Sequence, residues 1–283
     1  MKLASFTRQQ GGLTQIGVVS GEQIFPATGA EADLDMRGLI ARWDELKSKA
    51  SDWAKGAGIP LSSVRLMAPI ARPEKIMAIG LNYADHVAES GLETPKEQIW
   101  FCKQPSCTNG PYDPIQIPKA SSSIDYEVEL VAVIGKRCKH VSREKAAEVI
   151  FGYCVGNDVS TRDWQLKTPQ WVLGKSFDTH GPYGPWITTA DEVGDPHALD
   201  ISCKVNGELR QNSNTKHLIF NVFAQIEELT KAMTLEPGDV IFCGTPGGVG
   251  VAMKPPKFLK AGDRVTCEIS KLGRIEGVMT PEE

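Results

Sequence analysis

Asp125-Tyr126-Glu127-Val128-Glu129, running on into Leu130-Val131-Ala132-Val133-Ile134, is the stretch that decides how this chain is read. The apolar run, rich in Val and closed by Gly135, predicts a largely buried strand. Side chains alternate along a strand, so Glu127 and Glu129 project from one face, about 6–7 Å apart along it. Two carboxylates sharing a face beside an apolar core repel each other and lose hydration. A hard divalent cation with oxygen ligands compensates for both effects. The plainer reading is an edge strand whose glutamates stand in water.

Downstream, Phe151 to Asn157 reads as a second strand that ends at Asp158. A third carboxylate there would complete a three-carboxylate site, which suits Mg²⁺ or Mn²⁺ better than Zn²⁺. A helix cap for the following Thr161-Arg162-Asp163-Trp164-Gln165 is the other reading of Asp158. Upstream, Ile76 to Gly80 predicts a short strand, with Asn82 placed to cap a helical turn. On that turn His86 and Glu89 stand at i and i+3, where side chains meet. A carboxylate beside an imidazole raises its pKa and orients it, as a water-activating general base requires. An ordinary surface pair has the same spacing.

Around these segments the chain is rich in strands. Leu3 to Thr7 and Ile16 to Val19 are short strands, Leu39 to Trp53 a helix, and Pro69 to Pro73 a linker. Two more helices are predicted at 142–150 and 219–233. Without regular β-α alternation, a parallel sheet is not expected. The glycine run Gly244-Thr245-Pro246-Gly247-Gly248-Val249-Gly250 could present backbone N–H groups to an anion. It lacks both the P-loop ending and the dinucleotide spacing. Trp164 and Trp171 read as core anchors, and His180 as a loop histidine. The 283 residues carry a formal charge of −4, which gives no electrostatic case for nucleic acid or an anionic membrane. Seven cysteines with no C-x-x-C pair predict reduced thiols and the cytoplasm. No stretch predicts a targeting peptide or a membrane span.

Five motifs in order then carry a resemblance. They are Asn82-Tyr83-x-x-His86-x-x-Glu89, Asp125-Tyr126-Glu127-Val128-Glu129-Leu130, Gly152-Tyr153 through Asn157-Asp158-Val159-Ser160-x-Arg162, Gly174-Lys175-Ser176-Phe177-Asp178-Thr179, and the glycine run at 244–250. Over residues 70 to 280 the chain resembles the fumarylacetoacetate hydrolase family. The resemblance implies a strand-dominated α+β fold, a mixed β-roll or β-sandwich core of the fumarylacetoacetase C-terminal type with peripheral helices. It implies a small N-terminal domain at 1–70 and a catalytic domain at 71–283. Glu127, Glu129 and Asp158 would hold Mg²⁺ or Mn²⁺, and His86 with Glu89 would form the water-activating dyad. Lys175 would sit near the metal and the developing charge. Arg162, Gln165 and Thr245, with Tyr83 and Gly244, would contact the substrate. A homodimer or homotetramer is expected.

The activity implied is metal-dependent hydrolysis of the C3–C4 bond of a 2,4-diketo acid. The closest likeness is to bacterial hydrolases of diketo-deoxy sugar acids. The expected substrate is therefore L-2,4-diketo-3-deoxyrhamnonate or -fuconate, cleaved to pyruvate and lactate. The alternatives are an acylpyruvate hydrolase, a decarboxylase, isomerase or lyase acting on oxaloacetate or a related oxo acid, and a non-catalytic small-acid binder. The dyad favours hydrolysis on the argument that decarboxylation needs no activated water.

Overall fold

All seven residues of Val128–Ile134 are buried, and they form one uninterrupted strand. Antiparallel ladders flank it, with Ile150–Asn157 on one side and Val240–Phe242 on the other. Its two faces meet different cores. Val128, Leu130, Ala132 and Ile134 pack with Ile201, Cys203, Val265 and Cys267 of a second sheet. Val131 and Val133 pack with Leu39, Ile40, Leu46 and Ala50 of two N-terminal helices. Burial on both faces explains why the sequence runs continuously apolar where a half-exposed strand would alternate.

The computed structural model describes residues 1–8, 11–91 and 93–283, leaving aside the side chains at 88 and 90. The fold is the expected strand-dominated α+β arrangement, built on two mixed sheets. The larger sheet runs from Ile59–Pro60 through Gln23–Pro26, Gln15–Ser20, Lys2–Thr7, Gly181–Thr189, Ile150–Asn157, Val128–Ile134, Val240–Phe242 and Ile76–Gly80 to Ile99–Lys103. Lys2–Thr7 pairs with Gly181–Thr189, so the N-terminal strands continue the sheet that carries the acidic motif. The smaller sheet orders Glu208–Asn214, Asp200–Val205, Arg264–Ile269, Gly273–Pro281 and Ile115–Ile117.

The helices depart in detail from the sequence expectation. The run from 39 to 53 is two helices, Met36–Ala41 and Trp43–Trp53, broken at Arg42. Asp35 caps the first by accepting from Gly38 N at 2.7 Å. Residues 143–149 wind as a 3₁₀ helix. The last long helix begins at Val222, because Asn221 caps it by accepting from Ala224 N at 2.9 Å. All seven cysteines are free thiols. Among the described residues, no helix is long and apolar enough to cross a membrane.

Candidate metal centre and active site

Register brings the three acids together. Val128 lies opposite Asn157 in the antiparallel ladder, so Asp158 follows its strand's end just where Glu127 precedes its own. Two backbone-directed bonds lock the corner. Asn157 Oδ1 accepts from Glu127 N at 3.0 Å, and Asp158 N donates to Glu127 O at 2.8 Å. Glu127, Glu129 and Asp158 are buried, and one carboxylate oxygen from each lies within 4.8 Å of the others. A shared Mg²⁺ at about 2.1 Å from each oxygen would hold them about 3–4 Å apart, so the cluster needs only slight contraction.

Three cations are interleaved with these acids. Lys175 Nζ lies 2.7 Å from both Glu127 Oε2 and Asp158 Oδ2. Lys103 Nζ lies 2.6 Å from Asp158 Oδ1 and also donates to the Lys175 carbonyl. Arg162 Nη1 lies 2.7 Å from Glu127 Oε1 and bonds Gln165 Oε1 at 2.9 Å, while its Nε bonds Asp125 Oδ2 at 2.8 Å. Asp125 in turn accepts from Gly250 N at 2.7 Å and Val251 N at 3.0 Å. Burying an ion costs several kcal/mol after relaxation, so an unpaired charge here would be strongly unfavourable.

Glu129 is the unbalanced member. Four buried carboxylates (125, 127, 129 and 158) face three buried cations (103, 162 and 175), leaving one negative charge over. Among the described residues, no cation forms an ion pair with Glu129; its Oε2 accepts only from Gly244 N at 2.8 Å. Burial, then the charges of Asp158 and Glu127, pushes its carboxyl well above the usual range. Glu127 goes the other way. Burial would raise it, but Lys175 and Arg162 outweigh burial and draw it down to about 2. A set of oxygen donors with one uncompensated charge fits a hard divalent ion.

His86 and Glu89 arrive from the helix Ala84–Ser90. His86 Nδ1 lies 3.9 Å from Glu89 Oε1, is buried, and makes no hydrogen bond among the described residues. Burial lowers its pKa, with the nearby Glu127 opposing, so the imidazole is neutral at pH 7. Glu89 Oε2 accepts from Gly248 N at 2.6 Å, which ties the helix to the glycine loop. The loop's amides therefore serve the protein's own acids: Gly244 on Glu129, Gly248 on Glu89, Gly250 and Val251 on Asp125. Gly244 has φ +103°, and a Cβ there would lie 2.7 Å from Asn82 Cβ, so only glycine fits. Asn82 is not the expected helix cap. Its side chain donates to Cys243 O at 2.7 Å and Phe220 O at 3.0 Å and accepts from Phe220 N, holding strand end and loop together. Tyr83 is fully buried, and its hydroxyl has no hydrogen-bond partner among the described residues.

Several residues of this site went unassigned in the sequence. Lys103, Asp125, Asn157 and Gln211 are all buried here, and each looks ordinary in its local context. Thr245 carries its hydroxyl on the protein: it donates to Val128 O at 3.0 Å and accepts from Gln211 Nε2 at 2.8 Å. His180 is a loop histidine, but not a solvated one. It is fully buried, bonds Gln116 O through Nε2 at 2.8 Å, and burial lowers its pKa to about 4. Trp171 is half-buried, its ring lying directly over Gly80, where a Cβ would approach to 2.3 Å.

Residues 75–280 match the family described as fumarylacetoacetate (FAA) hydrolase C-terminal, and the chain belongs to the fumarylacetoacetate hydrolase family of enzymes. It is 53% identical to a mitochondrial oxaloacetate tautomerase of Xenopus laevis over 216 residues, which cover 76% of this chain and 68% of the relative. A fumarylacetoacetate hydrolase domain-containing protein 2 homolog of Dictyostelium discoideum is 49% identical, covering 92% of this chain and 91% of its own. Among solved structures, maleylpyruvate hydrolase from Sphingobium sp. SYK-6, in complex with manganese(II) ion and pyruvate, is 34% identical. It superimposes with a TM-score of 0.85 over 100% of both chains.

These likenesses overturn the expected activity. Relatives at about half identity carry the name oxaloacetate tautomerase, which displaces the diketo-deoxy sugar acid hydrolase reading. The physical reason is that a buried neutral imidazole beside a carboxylate can move a proton to carbon or oxygen as readily as it can activate water. The dyad therefore did not single out hydrolysis.

Proposed function

We propose that this protein is a divalent-metal-dependent tautomerase interconverting the keto and enol forms of oxaloacetate. The observation that carries the reading is the 53% identity to an oxaloacetate tautomerase over 216 residues, 76% of this chain. The interconversion moves one proton between C3 and the C2 oxygen and breaks no carbon–carbon bond. Glu127, Glu129 and Asp158 would hold the cation. A divalent cation bound there supplies Lewis-acid stabilisation of charge developing on a substrate oxygen.

The chain's own groups have defined tasks in this scheme. His86, neutral because it is buried, takes the proton from C3 and delivers it to the C2 oxygen, and in the reverse direction carries it from that oxygen back to C3. Glu89 orients the imidazole and steadies the charged form. Lys175 keeps its ammonium beside Glu127 and Asp158, because those carboxylates outweigh the effect of burial and raise its pKa. It adds positive charge next to the reacting oxygen. Arg162 is committed to Asp125, Glu127 and Gln165, so its role is to hold Gln165 for contact with a substrate carboxylate. Tyr83, Gly244 and Thr245 complete the wall. The net negative charge of the side chains disfavours a dicarboxylate unless the cation is present, which links substrate binding to the metal. Mg²⁺ and Mn²⁺ both suit the oxygen donors, and the manganese(II) and pyruvate held by the maleylpyruvate hydrolase support a metal-bound 2-oxo acid.

Residues 71–283 carry every group invoked, which supports treating residues 1–70 as a small N-terminal unit joined to a catalytic one. A homo-oligomer is proposed on family membership. The dispersed free thiols support a reducing compartment, a description met by the cytoplasm and by the mitochondrial matrix alike. The test of the activity is to follow loss of enol absorbance in freshly dissolved oxaloacetate while assaying pyruvate. The expected result is faster enol loss without matching pyruvate release. Pyruvate formed in step with enol loss would sink the tautomerase reading.

A further inference from the structure

Val128 sits between two metal-ligand positions, paired with Asn157 on one side but without a strand partner on the side of Val240–Phe242. The neighbouring strand Val240–Phe242 pairs as far as Val131, Cys243 N still donates to Leu130 O at 2.9 Å, and past Cys243 the chain turns away into the glycine loop. Buried peptide groups left unpaired are costly. Side chains pair both of those on Val128. Its N–H donates to Gln211 Oε1 at 3.0 Å, and its C=O accepts from Thr245 Oγ1 at 3.0 Å. Gln211 Nε2 then donates to Thr245 Oγ1 at 2.8 Å and to Pro246 O at 2.8 Å. Gln211 is fully buried and belongs to the other sheet, on the strand Glu208–Asn214. One carboxamide thus joins the ligand strand, the glycine loop and the second sheet.

We infer that Gln211 is a positioning residue that sets the glycine loop at a fixed distance from the metal-ligand strand. The loop's contribution to anion binding depends on that distance. Gly244 N–H holds Glu129, while the Thr245 N–H makes no hydrogen bond among the described residues and is free for a ligand oxygen. With the Thr245 hydroxyl fixed between Gln211 and Val128, that N–H keeps one direction. Without Gln211 the loop keeps the bond from Thr245 Oγ1 to Val128 O but loses the two that Gln211 Nε2 makes to Thr245 Oγ1 and Pro246 O. The inference rests on the proposal that the site takes a small oxo-acid anion beside a cation.

The test uses the full chain and two separate binding readouts, so it does not depend on which reaction is catalysed. Mn²⁺ affinity is measured by electron paramagnetic resonance, and oxalate affinity of the Mn²⁺-loaded protein by calorimetry, for Gln211→Met, Thr245→Val and the double variant. Gln211→Met should weaken oxalate binding about tenfold, while Mn²⁺ affinity changes less than about threefold. The double variant should bind oxalate within about twofold of the weaker single, because the link is broken only once. Losses that multiply, oxalate binding at the native level, or parallel loss of Mn²⁺ and oxalate would each overturn the inference. If Gln211→Met does not fold, Gln211→Glu keeps the acceptor for Val128 N and breaks only the loop side. It should lose oxalate affinity without losing Mn²⁺ affinity, and unchanged oxalate binding would overturn the inference. Failure of the tautomerase reading would appear separately, as native protein that binds oxalate yet does not accelerate enol loss.

Discussion

The acidic cluster and the His86 helix border the same site but are built in opposite ways. Glu127, Glu129 and Asp158 sit at the joined ends of two buried strands, locked by Asn157 and interleaved with Lys103, Lys175 and Arg162 at 2.6–2.7 Å. His86 and Glu89 sit on a seven-residue helix, 3.9 Å apart, tied down where Glu89 accepts from Gly248 N of the glycine loop and Asp85 accepts from Ser213 Oγ at 2.9 Å. The cluster is pre-organised by packing that exists for the fold's own sake. Among the described residues, the helix carries fewer such bonds than the cluster. Binding is thus assigned to the rigid part and proton transfer to the lightly held one, and the two should separate under mutation.

The largest effect is expected in the rigid part. Glu129→Ala, or removal of the metal with a chelator, should reduce tautomerisation at least about 10³-fold, with Mn²⁺ binding lost in the variant. Retained Mn²⁺ binding in Glu129→Ala would remove Glu129 from the ligand set. A smaller loss is expected in the helix: His86→Ala should slow turnover about 10²-fold, the low end for a lost general base, and leave oxalate binding to the metal-loaded protein near native. In the native enzyme, turnover should fall as pH drops below 6.5, because the lowered pKa of His86 places its protonation there. Loss of oxalate binding in His86→Ala would blur the division between the two regions. Glu89→Gln should cost about tenfold or less in kcat, since an amide oxygen can still accept from Gly248 N. A loss as large as that of His86→Ala would give Glu89 its own chemical role.

A third buried group provides a control outside both regions. His180 takes a proton near pH 6.5 when unfolded but only near about 4 when folded. The unfolded state therefore binds more protons between those values, and stability falls as pH drops through that window. The slope is at most about 1.4 kcal/mol per pH unit, or about 3 kcal/mol across it. Denaturant titrations from pH 7 to 4 should show this slope, reduced in His180→Asn. An unchanged slope in the variant would assign it to other groups.

The ligand strand was legible because its evidence is local: a seven-residue apolar run and two acids at alternate positions. Asp158 was less so, since its meeting with Glu127 depends on the register of Val128 against Asn157, which spacing does not encode. The family resemblance supplied that convergence. Lys103 and Gln211 were invisible because they reach the site from 55 and 83 residues away, and Gln211 stands among polar neighbours that read as surface. Asn82 was misread because cap chemistry is a local rule, and three tertiary bonds displaced it. The reaction itself was misjudged for a different reason. The same metal, lysine and imidazole serve several transformations of a 2-oxo acid, and fold with site does not choose among them.

The central claim is that this site moves a proton at C3 of oxaloacetate. Its most direct measurement is deuterium uptake at that carbon in D₂O, followed by NMR, with protein plus Mg²⁺, protein plus chelator, and Mg²⁺ alone. Uptake should be faster with protein and Mg²⁺ than with Mg²⁺ alone, and should return to the metal-free background with chelator. Uptake no faster than that with Mg²⁺ alone would contradict the claim.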